Sequence, residues 1–372
     1  MKIVFIIKTL ATRGGGAERV LTHIIGGLAR RGHDVTLLSF GSPNDPDFYP
    51  VDATIRRYWL RSGNVQARSS TLEVLNRISG VRKLIRDLRP DIAVGFMHSA
   101  YVPLALALST SRVPVIASEH ILYDHYHSFP LEALALRVAA PLCARITVIS
   151  DSIRNSFPPA LRRRMDAIPN PVVGAGPLAD PIGGQSKVLL NVGRLFDQKD
   201  QRTLIEAFAR VAHAWPDWTL RIVGEGPLRR TLESLVRDKG LQGRVQLPGA
   251  VDHIGAEYAA AQLFVMSSRY ESFGLATAEA LAHGLPAIGF ADCAGTNELI
   301  HDNVNGTLVP HGDRIAGLEA ALRRLMTDSD ERVRLGAAGP STVKQFSLES
   351  IVSDWERLLC RCAKRGPTEN IA

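Results

Sequence analysis

The stretch "SSRYESFGLATAEALAHGLPAI", residues 267–288, sets Glu271 and Glu279 eight positions apart with Gly274 between them. If the preceding "LFVMSS" is a strand and "ATAEALAHG" a helix, Glu271 lies in the connecting loop and faces a ligand's sugar. Phe273, Gly274 and Leu275 then lead backbone N–H groups toward the same ligand. Glu279, one turn into the helix, can accept hydrogen bonds from ribose hydroxyls; a helix-surface charge with no ligand is the alternative. Upstream, "NVGRLFDQKD" carries Arg194 and Lys199 at a strand end. Two cations at the mouth of a parallel sheet suit a diphosphate whose leaving charge needs stabilising, Arg binding bidentately and Lys acting as a point charge. Solvated surface charges are the alternative there. "VGEGPLRR" sets Glu225 between two glycines, lining a base or sugar pocket or forming a plain turn before a Pro-started helix.

Two further loops carry candidate chemistry. In "TRGGGAER", Gly15 and Gly16 let the backbone approach a phosphate or polar acceptor at a helix N-terminus, although a structural tight turn needs the same residues. The loop is neither GxGxxG nor GK[ST], which disfavours a nicotinamide oxidoreductase and a P-loop enzyme. His120 ends "VPVIASEH", where it can hydrogen-bond a sugar or simply pack. Glu119, Asp124, His125 and His127 lie near it, but their spacing gives no good metal-ligand set.

These loops need strands to hold them, and the chain repeats one grammar twice. "KIVFII", a glycine turn, "AERVLTHIIGGLARRGHDV" and "VTLLSF" make a β-α-β unit, and "DIAVGF", "VPVIASEH" and "RITVIS" continue the strands. After the Pro- and Gly-rich linker candidate "PNPVVGAGPLADPIGGQS" the grammar restarts with "KVLLNVGRL" and "WTLRIVGEGP". The fold class is α/β, two Rossmann-like doubly wound domains facing across a cleft that holds the active site. The expected domains are residues 1–170 and 171–348. The helix "LESIVSDWERLLCRCAKR", in 349–372, is expected to pack back on the first domain, and docking on the second is compatible with the same pattern.

Length and composition agree with two soluble domains: 372 residues, 45% hydrophobic and 22% charged. Four cysteines without paired spacing argue against a zinc site or disulfide framework and fit a reducing compartment. The apolar N-terminal run is broken by Lys8 and reads as a buried strand, and no window reaches the ~18 apolar residues of a membrane span. The net charge of +7 is uneven: residues 1–180 hold 22 Lys and Arg against 14 Asp and Glu, residues 181–372 hold 22 against 23. A basic first half suggests an anionic partner or only a solubilising surface. Arg77, Arg82, Lys83 and Arg86 beside an apolar stripe, with Tyr58 and Trp59 in the preceding loop, suggest a membrane surface or a lipid pyrophosphate. A core-facing stripe with a solvated basic face is the alternative.

Taken in order, "RGGGAER", "SEH", "VIS", "IPNPV", "NVGRL", "GEGP", "ESFGLATAEALAHGLP" and "NGTLVP" resemble the retaining glycosyltransferases of the GT-B fold, family four, glycosyl transferases group 1. The resemblance runs over nearly the whole chain and implies transfer, by a hexosyltransferase, from a nucleotide diphosphate sugar such as a UDP- or GDP-sugar, with no required metal or other cofactor. It implies that Arg194 and Lys199 bind the diphosphate, Glu279 the ribose, and Glu271, Phe273, Gly274 and Leu275 the donor-sugar region. His120 matches a histidine that contacts the donor sugar, and Gly15 and Gly16 a loop near phosphate and acceptor. "CAGTNELI" has Ala294-Gly295 where a double glycine is usual, and Pro171 stands where glycine is common. The implied acceptor is a glycan, lipid-linked or part of a cell-surface polysaccharide precursor. The implied location is cytoplasmic, peripheral on the inner membrane face. A nucleotide-sugar epimerase would use the same diphosphate site without an acceptor. A non-catalytic anion- or nucleic-acid-binding protein would explain the basic half but not the second-domain loops, so no nucleic-acid partner is expected.

Overall fold

The computed structural model describes residues 1–11, 16–63, 70–173 and 176–365. They form two units, residues 1–171 with 348–372 and residues 172–347. In the first unit, the apolar run becomes β1 (Lys2–Ile7), buried from Ile3 to Ile7 because helices cover both faces of a parallel sheet. Helix α1 (Gly16–Arg30) leads to β2 (Asp34–Ser39), β3 (Arg56–Trp59) and α2 (Thr71–Leu88). There follow β4 (Ile92–Phe96), α3 (His98–Ala107), β5 (Val115–Ser118), α4 (His125–Ser128) and α5 (Pro130–Ala139). The sheet is completed by β6 (Arg145–Val148), α6 (Asp151–Ser156), α7 (Pro159–Arg162) and β7 (Met165–Ala167).

The strand order is β3-β2-β1-β4-β5-β6-β7, and every pairing is parallel. Ile3 pairs with Val35 on one side and Ile92 on the other, so the order reverses between β1 and β4. Two sequence expectations change here. Tyr58 and Trp59 lie in the edge strand β3, not in a loop, and Arg57 stacks on Trp59 at 4.9 Å. Arg77 is not part of a basic face: it is 2% exposed, sits 4.8 Å from the Phe40 ring centroid and donates to the Ser62 carbonyl at 3.1 Å.

The second unit runs β8 (Lys187–Val192), α8 (Gln201–Val211), β9 (Trp218–Val223), α9 (Arg229–Asp238), β10 (Val245–Gly249) and α10 (Ile254–Ala260). It continues with β11 (Leu263–Val265), α11 (Leu275–Ala282), β12 (Ala287–Phe290), β13 (Gly306–Val309), α12 (Arg314–Thr327) and α13 (Ser329–Val343). Its parallel order is β10-β9-β8-β11-β12-β13, reversing between β8 and β11. Phe208, Trp218, Ile222, Val265, Ile288 and Leu322 fill its core. The segment expected as a linker is partly fastened to this unit: Ala179 donates to His283 O at 2.8 Å, and buried Arg332 donates to Pro181 O at 2.7 Å.

The last helix, α14 (Leu348–Arg365), lies in the first unit. Trp355 is 6.2 Å from Phe5 and 6.1 Å from Phe96, ring to ring, and Glu356 bonds Arg31 and His33 at 2.8 and 2.7 Å. Gly27 admits the helix, since a Cβ there would meet Val352 Cγ2 at 2.4 Å. Among the described residues no helix is long and apolar enough to cross a membrane.

Candidate active site

In an open parallel sheet the crevice for ligands lies beyond the carboxyl ends of strands where the order reverses. In the second unit those strands are β8 and β11, and their loops contain Arg194, Lys199 and Glu271. The loops are stitched together. Arg269 N donates to Gln198 O at 2.9 Å, Gln198 Nε2 to Tyr270 O at 2.8 Å, and Ser267 Oγ to Lys199 O at 2.7 Å. Lys199, 72 positions from Glu271, donates to its Oε1 at 2.6 Å, and Ser268 Oγ donates to the same oxygen at 2.5 Å. The two side chains are 16% and 9% exposed, so water screens the pair weakly.

Arg194 behaves differently. It is exposed, its guanidinium lies 4.8 Å from the Phe196 ring centroid, and it makes no ion pair among the described residues. Two glycines shape the loop. A Cβ at Gly224, φ 145°, would meet Gly193 O at 2.1 Å, so "GEGP" packs directly under the β8 loop, with Leu195 N donating to Glu225 O at 2.9 Å. The structure does not bring the Glu225 side chain to Lys199 and Glu271. Its carboxylate is exposed and takes Arg229 at 2.6 and 2.9 Å, which holds it below the usual carboxylate range.

Gly274, φ 82° and ψ 46°, caps α11 in a left-handed conformation that glycine adopts without strain. Leu275 opens the helix, whose first-turn N–H groups lack intrahelical partners and favour an anion. Phe273 is 6% exposed and packs edge-on against Phe346 at 5.2 Å, which makes its ring structural and leaves its backbone for the ligand. Glu271 N donates to Ala294 O at 3.0 Å. A Cβ at Gly295, φ 78°, would approach Glu271 O to 2.6 Å. Glu279 is not a surface charge: it is 6% exposed and accepts from Tyr258 Oη at 3.0 Å. Tyr258 stacks on His283 at 5.3 Å, and His283 Nδ1 lies 3.1 Å from Pro177 O.

The first unit holds His120 just beyond β5. Its ring lies 4.6 Å from Phe96, and burial pushes its pKa down to about 4, so it is neutral at physiological pH. Thr147 Oγ1 donates to Ser118 Oγ at 3.0 Å, and Ser118 Oγ lies 3.0 Å from His120 Nε2. A chain running in that direction leaves the ring proton on Nδ1. Glu119 fixes the turn: fully buried, it accepts from the His120 and Ile121 N–H groups at 2.8 and 3.0 Å and from the Tyr101 and Tyr126 hydroxyls at 2.6 and 2.5 Å. Burial and this carboxylate raise the pKa of both tyrosines.

Gly16 begins α1, and a Cβ there would meet nothing within 4 Å, so packing does not demand the glycine; Gly15 lies outside the described residues. Asp124 and His127 pair with each other at 3.8 Å, and His125 bonds Glu132 at 3.0 Å. Among the described residues no group of three or more His, Cys, Asp or Glu side chains is placed to hold a metal ion. Sequence reasoning did not assign Ser268, Tyr258, Tyr101 or Tyr126, nor Glu119 its role in fixing the turn. Only Ser268 had a signal, standing three residues before Glu271.

Comparison with known proteins finds matches in both units. The model for glycosyltransferase family 4 matches residues 14–173, and that for glycosyl transferases group 1 matches residues 179–342. The "GalNAc-alpha-(1->4)-GalNAc-alpha-(1->3)-diNAcBac-PP-undecaprenol alpha-1,4-N-acetyl-D-galactosaminyltransferase" of Campylobacter jejuni is 26% identical, over 96% of this chain and 98% of that protein. The lipopolysaccharide core biosynthesis glycosyltransferase LpsE of Rhizobium meliloti is 28% identical, over 93% and 96%. The crystal structure of Anabaena HepE in complex with UDP and glucose shares the fold, with a TM-score of 0.78, 20% identity and coverage of 97% and 99%.

Proposed function

The chain belongs to the glycosyltransferases, with a family 4 region followed by a group 1 region, and on that premise we propose that it transfers a hexose, with retention, from a UDP- or GDP-sugar to a lipid-linked glycan. The observation that carries this reading is the Lys199–Glu271 pair at 2.6 Å, set beyond the carboxyl ends of β8 and β11. The diphosphate is taken by Lys199, by Arg194 and by the N–H groups at the start of α11, and Glu279, held by Tyr258, receives the ribose hydroxyls. Glu271 keeps the Lys199 ammonium at the strand end and faces the donor sugar. Neutral His120 serves as a hydrogen-bonding group toward sugar hydroxyls, not as a cation.

As the anomeric C–O bond to phosphate breaks, negative charge grows on the departing oxygen, where fixed cations are worth most. The new bond forms from the acceptor oxygen to the same carbon on the same face, and the acceptor proton passes to the departing phosphate oxygen. Arg194 and Lys199 supply the neutralisation in this scheme, so turnover is expected to persist with a chelator present. The donor class draws support from the UDP bound to HepE, and the acceptor class from the undecaprenol-linked glycan in the Campylobacter enzyme's name.

The test is incubation with UDP- and GDP-sugars and an undecaprenyl-pyrophosphate glycan, followed by NMR of the product's anomeric proton and carbon. A product with the donor's anomeric configuration is expected. An inverted product overturns the retaining mechanism, and consumption of donor to an isomeric nucleotide sugar without acceptor overturns transfer.

A further inference from the structure

Arg314 opens α12 and reaches back into the loops that carry the candidate site. Its Nη2 donates to Ser268 O at 2.9 Å and to Ser267 O at 3.0 Å, and its Nη1 donates to Asp292 Oδ1 at 3.0 Å. The guanidinium carbon lies 3.5 Å from the centroid of the Phe290 ring, and Nε is 3.6 Å from Asp200 Oδ2. One side chain therefore meets the segments that follow three neighbouring strands: Asp200 after β8, the two serines after β11 and Asp292 after β12.

Val265 is the last residue of β11 in register with β12, and the serines beyond it are fully buried. Buried carbonyls there need donors from outside the ladder, and Arg314 supplies them. With the backbone so held, Ser267 Oγ meets Lys199 O, and Ser268 Oγ meets Glu271 Oε1, the oxygen that Lys199 also takes. On the facing loop Asp200 follows Lys199 in a left-handed conformation, φ 47° and ψ 40°, which a residue with a side chain keeps only where its surroundings impose it. Its buried carboxylate accepts from Thr203 Oγ1 at 3.0 Å and faces Arg269 at 3.5 Å as well as Arg314. A guanidinium suits this place because it forks to two carbonyls and lies flat on a ring, neither of which an ammonium can do.

We propose that Arg314 is a positioning residue for transfer: through the backbone on either side of them, it holds the Lys199 ammonium and the Glu271 carboxylate in the geometry that meets the departing diphosphate. The inference rests on the reading of that pair as the donor site and adds to it a group that stands outside the pair.

The test compares the parent with Lys199→Ala, Arg314→Lys, Arg314→Ala and Lys199→Ala/Arg314→Ala in the transfer assay above, with calorimetric titration of the parent by UDP and GDP. A displaced catalytic group costs about 10²-fold in rate, so Arg314→Ala should lower kcat by about that factor and leave KM for the sugar nucleotide nearly constant. Arg314→Lys should fall nearly as far, since it keeps the charge and loses the fork. In the Lys199→Ala background Arg314→Ala should add little, because the group it positions is gone. Guanidinium below its denaturing concentration should restore part of the turnover of Arg314→Ala and none of that of Lys199→Ala; a merely destabilised variant would lose more, because guanidinium weakens the fold. Near-parent kcat in Arg314→Ala, beside a Lys199→Ala that has lost it, overturns the inference and leaves the donor reading standing. An equal fold-loss in both backgrounds, or a loss that guanidinium deepens, also overturns it. Should Arg314→Ala fail to fold, Arg314→Lys carries the same comparison of backgrounds. Full kcat in Lys199→Ala, or binding of neither UDP nor GDP by the parent, removes the donor reading itself and this inference with it.

Discussion

Lys199 is held within a weakly hydrated group, and that gives its removal two separable consequences. In Lys199→Ala the Glu271 carboxylate, 9% exposed, loses its cation and keeps the Ser268 hydroxyl. Breaking a buried pair from one side costs about 3–5 kcal/mol. Because the ammonium is itself 16% exposed, water enters easily and the lower end, about 3 kcal/mol, applies. For a domain of this size that lowers the melting temperature by about 6–12 °C. Turnover falls for another reason: the leaving phosphate loses a fixed cation, which costs about 10²–10³ in kcat. The double variant Lys199→Ala/Glu271→Gln separates the two, since it removes both charges and leaves a neutral amide beside Ser268. It should recover most of the lost stability, to within about 1 kcal/mol of the parent, while turnover stays at least about 10²-fold down. Calorimetric melting and kcat/KM for the sugar nucleotide, measured on the parent, both singles and the double, give the full cycle. Recovery of turnover in the double variant would refute the reasoning, because the pair would then be needed only to hold the loops.

Two further outcomes follow from the same geometry. His120 has a folded pKa of about 4 against an ordinary 6.5, so below pH 6.5 the unfolded chain takes a proton that the folded chain refuses. Stability is therefore lost as pH falls from 6.5 to 4, by up to about 3 kcal/mol from this group; His120→Asn should flatten that limb in urea titrations across the range, and an unchanged limb would rule the histidine out as its cause. Tyr258→Phe removes the hydroxyl that pins Glu279 at 3.0 Å; loss of a hydrogen bond to a charged group predicts about 10-fold weaker binding of UDP or GDP by calorimetry, and unaltered affinity would detach Glu279 from the ribose.

Where one strand or one loop carried the information, the sequence was legible. The apolar runs Ile3–Ile7 of β1 and Ile92–Phe96 of β4 are unbroken because both their faces are buried, and glycine marked the loop after β8. The β3 segment, "RRYW", escaped notice because an edge strand is only half covered and needs no apolar run. Arg77 was misread for a related reason: helical spacing shows that it shares α2 with other cations but says nothing of Phe40, which covers it. In the second unit, the loops bearing Arg194, Lys199 and Glu271 were visible as loops, but the contact between Lys199 and Glu271 depends on β8 and β11 being neighbours. Glu279 illustrates the limit well, since its own helix leaves surface and interior open, and a tyrosine on α10 shows only that the carboxylate is buried. Glu225 went the other way, its carboxylate taken by Arg229 one turn along.

The return of α14 to the first unit has a consequence for how the protein is made. A ribosome finishes β1 through β7 long before it reaches Trp355, so Phe5 and Phe96 lack the indole that packs on them until then. Residues 172–347 emerge in between as one continuous stretch containing all six strands of their own sheet. During synthesis, then, the unit that begins first is completed last. A stop codon at Leu348 would release a chain whose second unit is whole and whose first unit lacks its last helix.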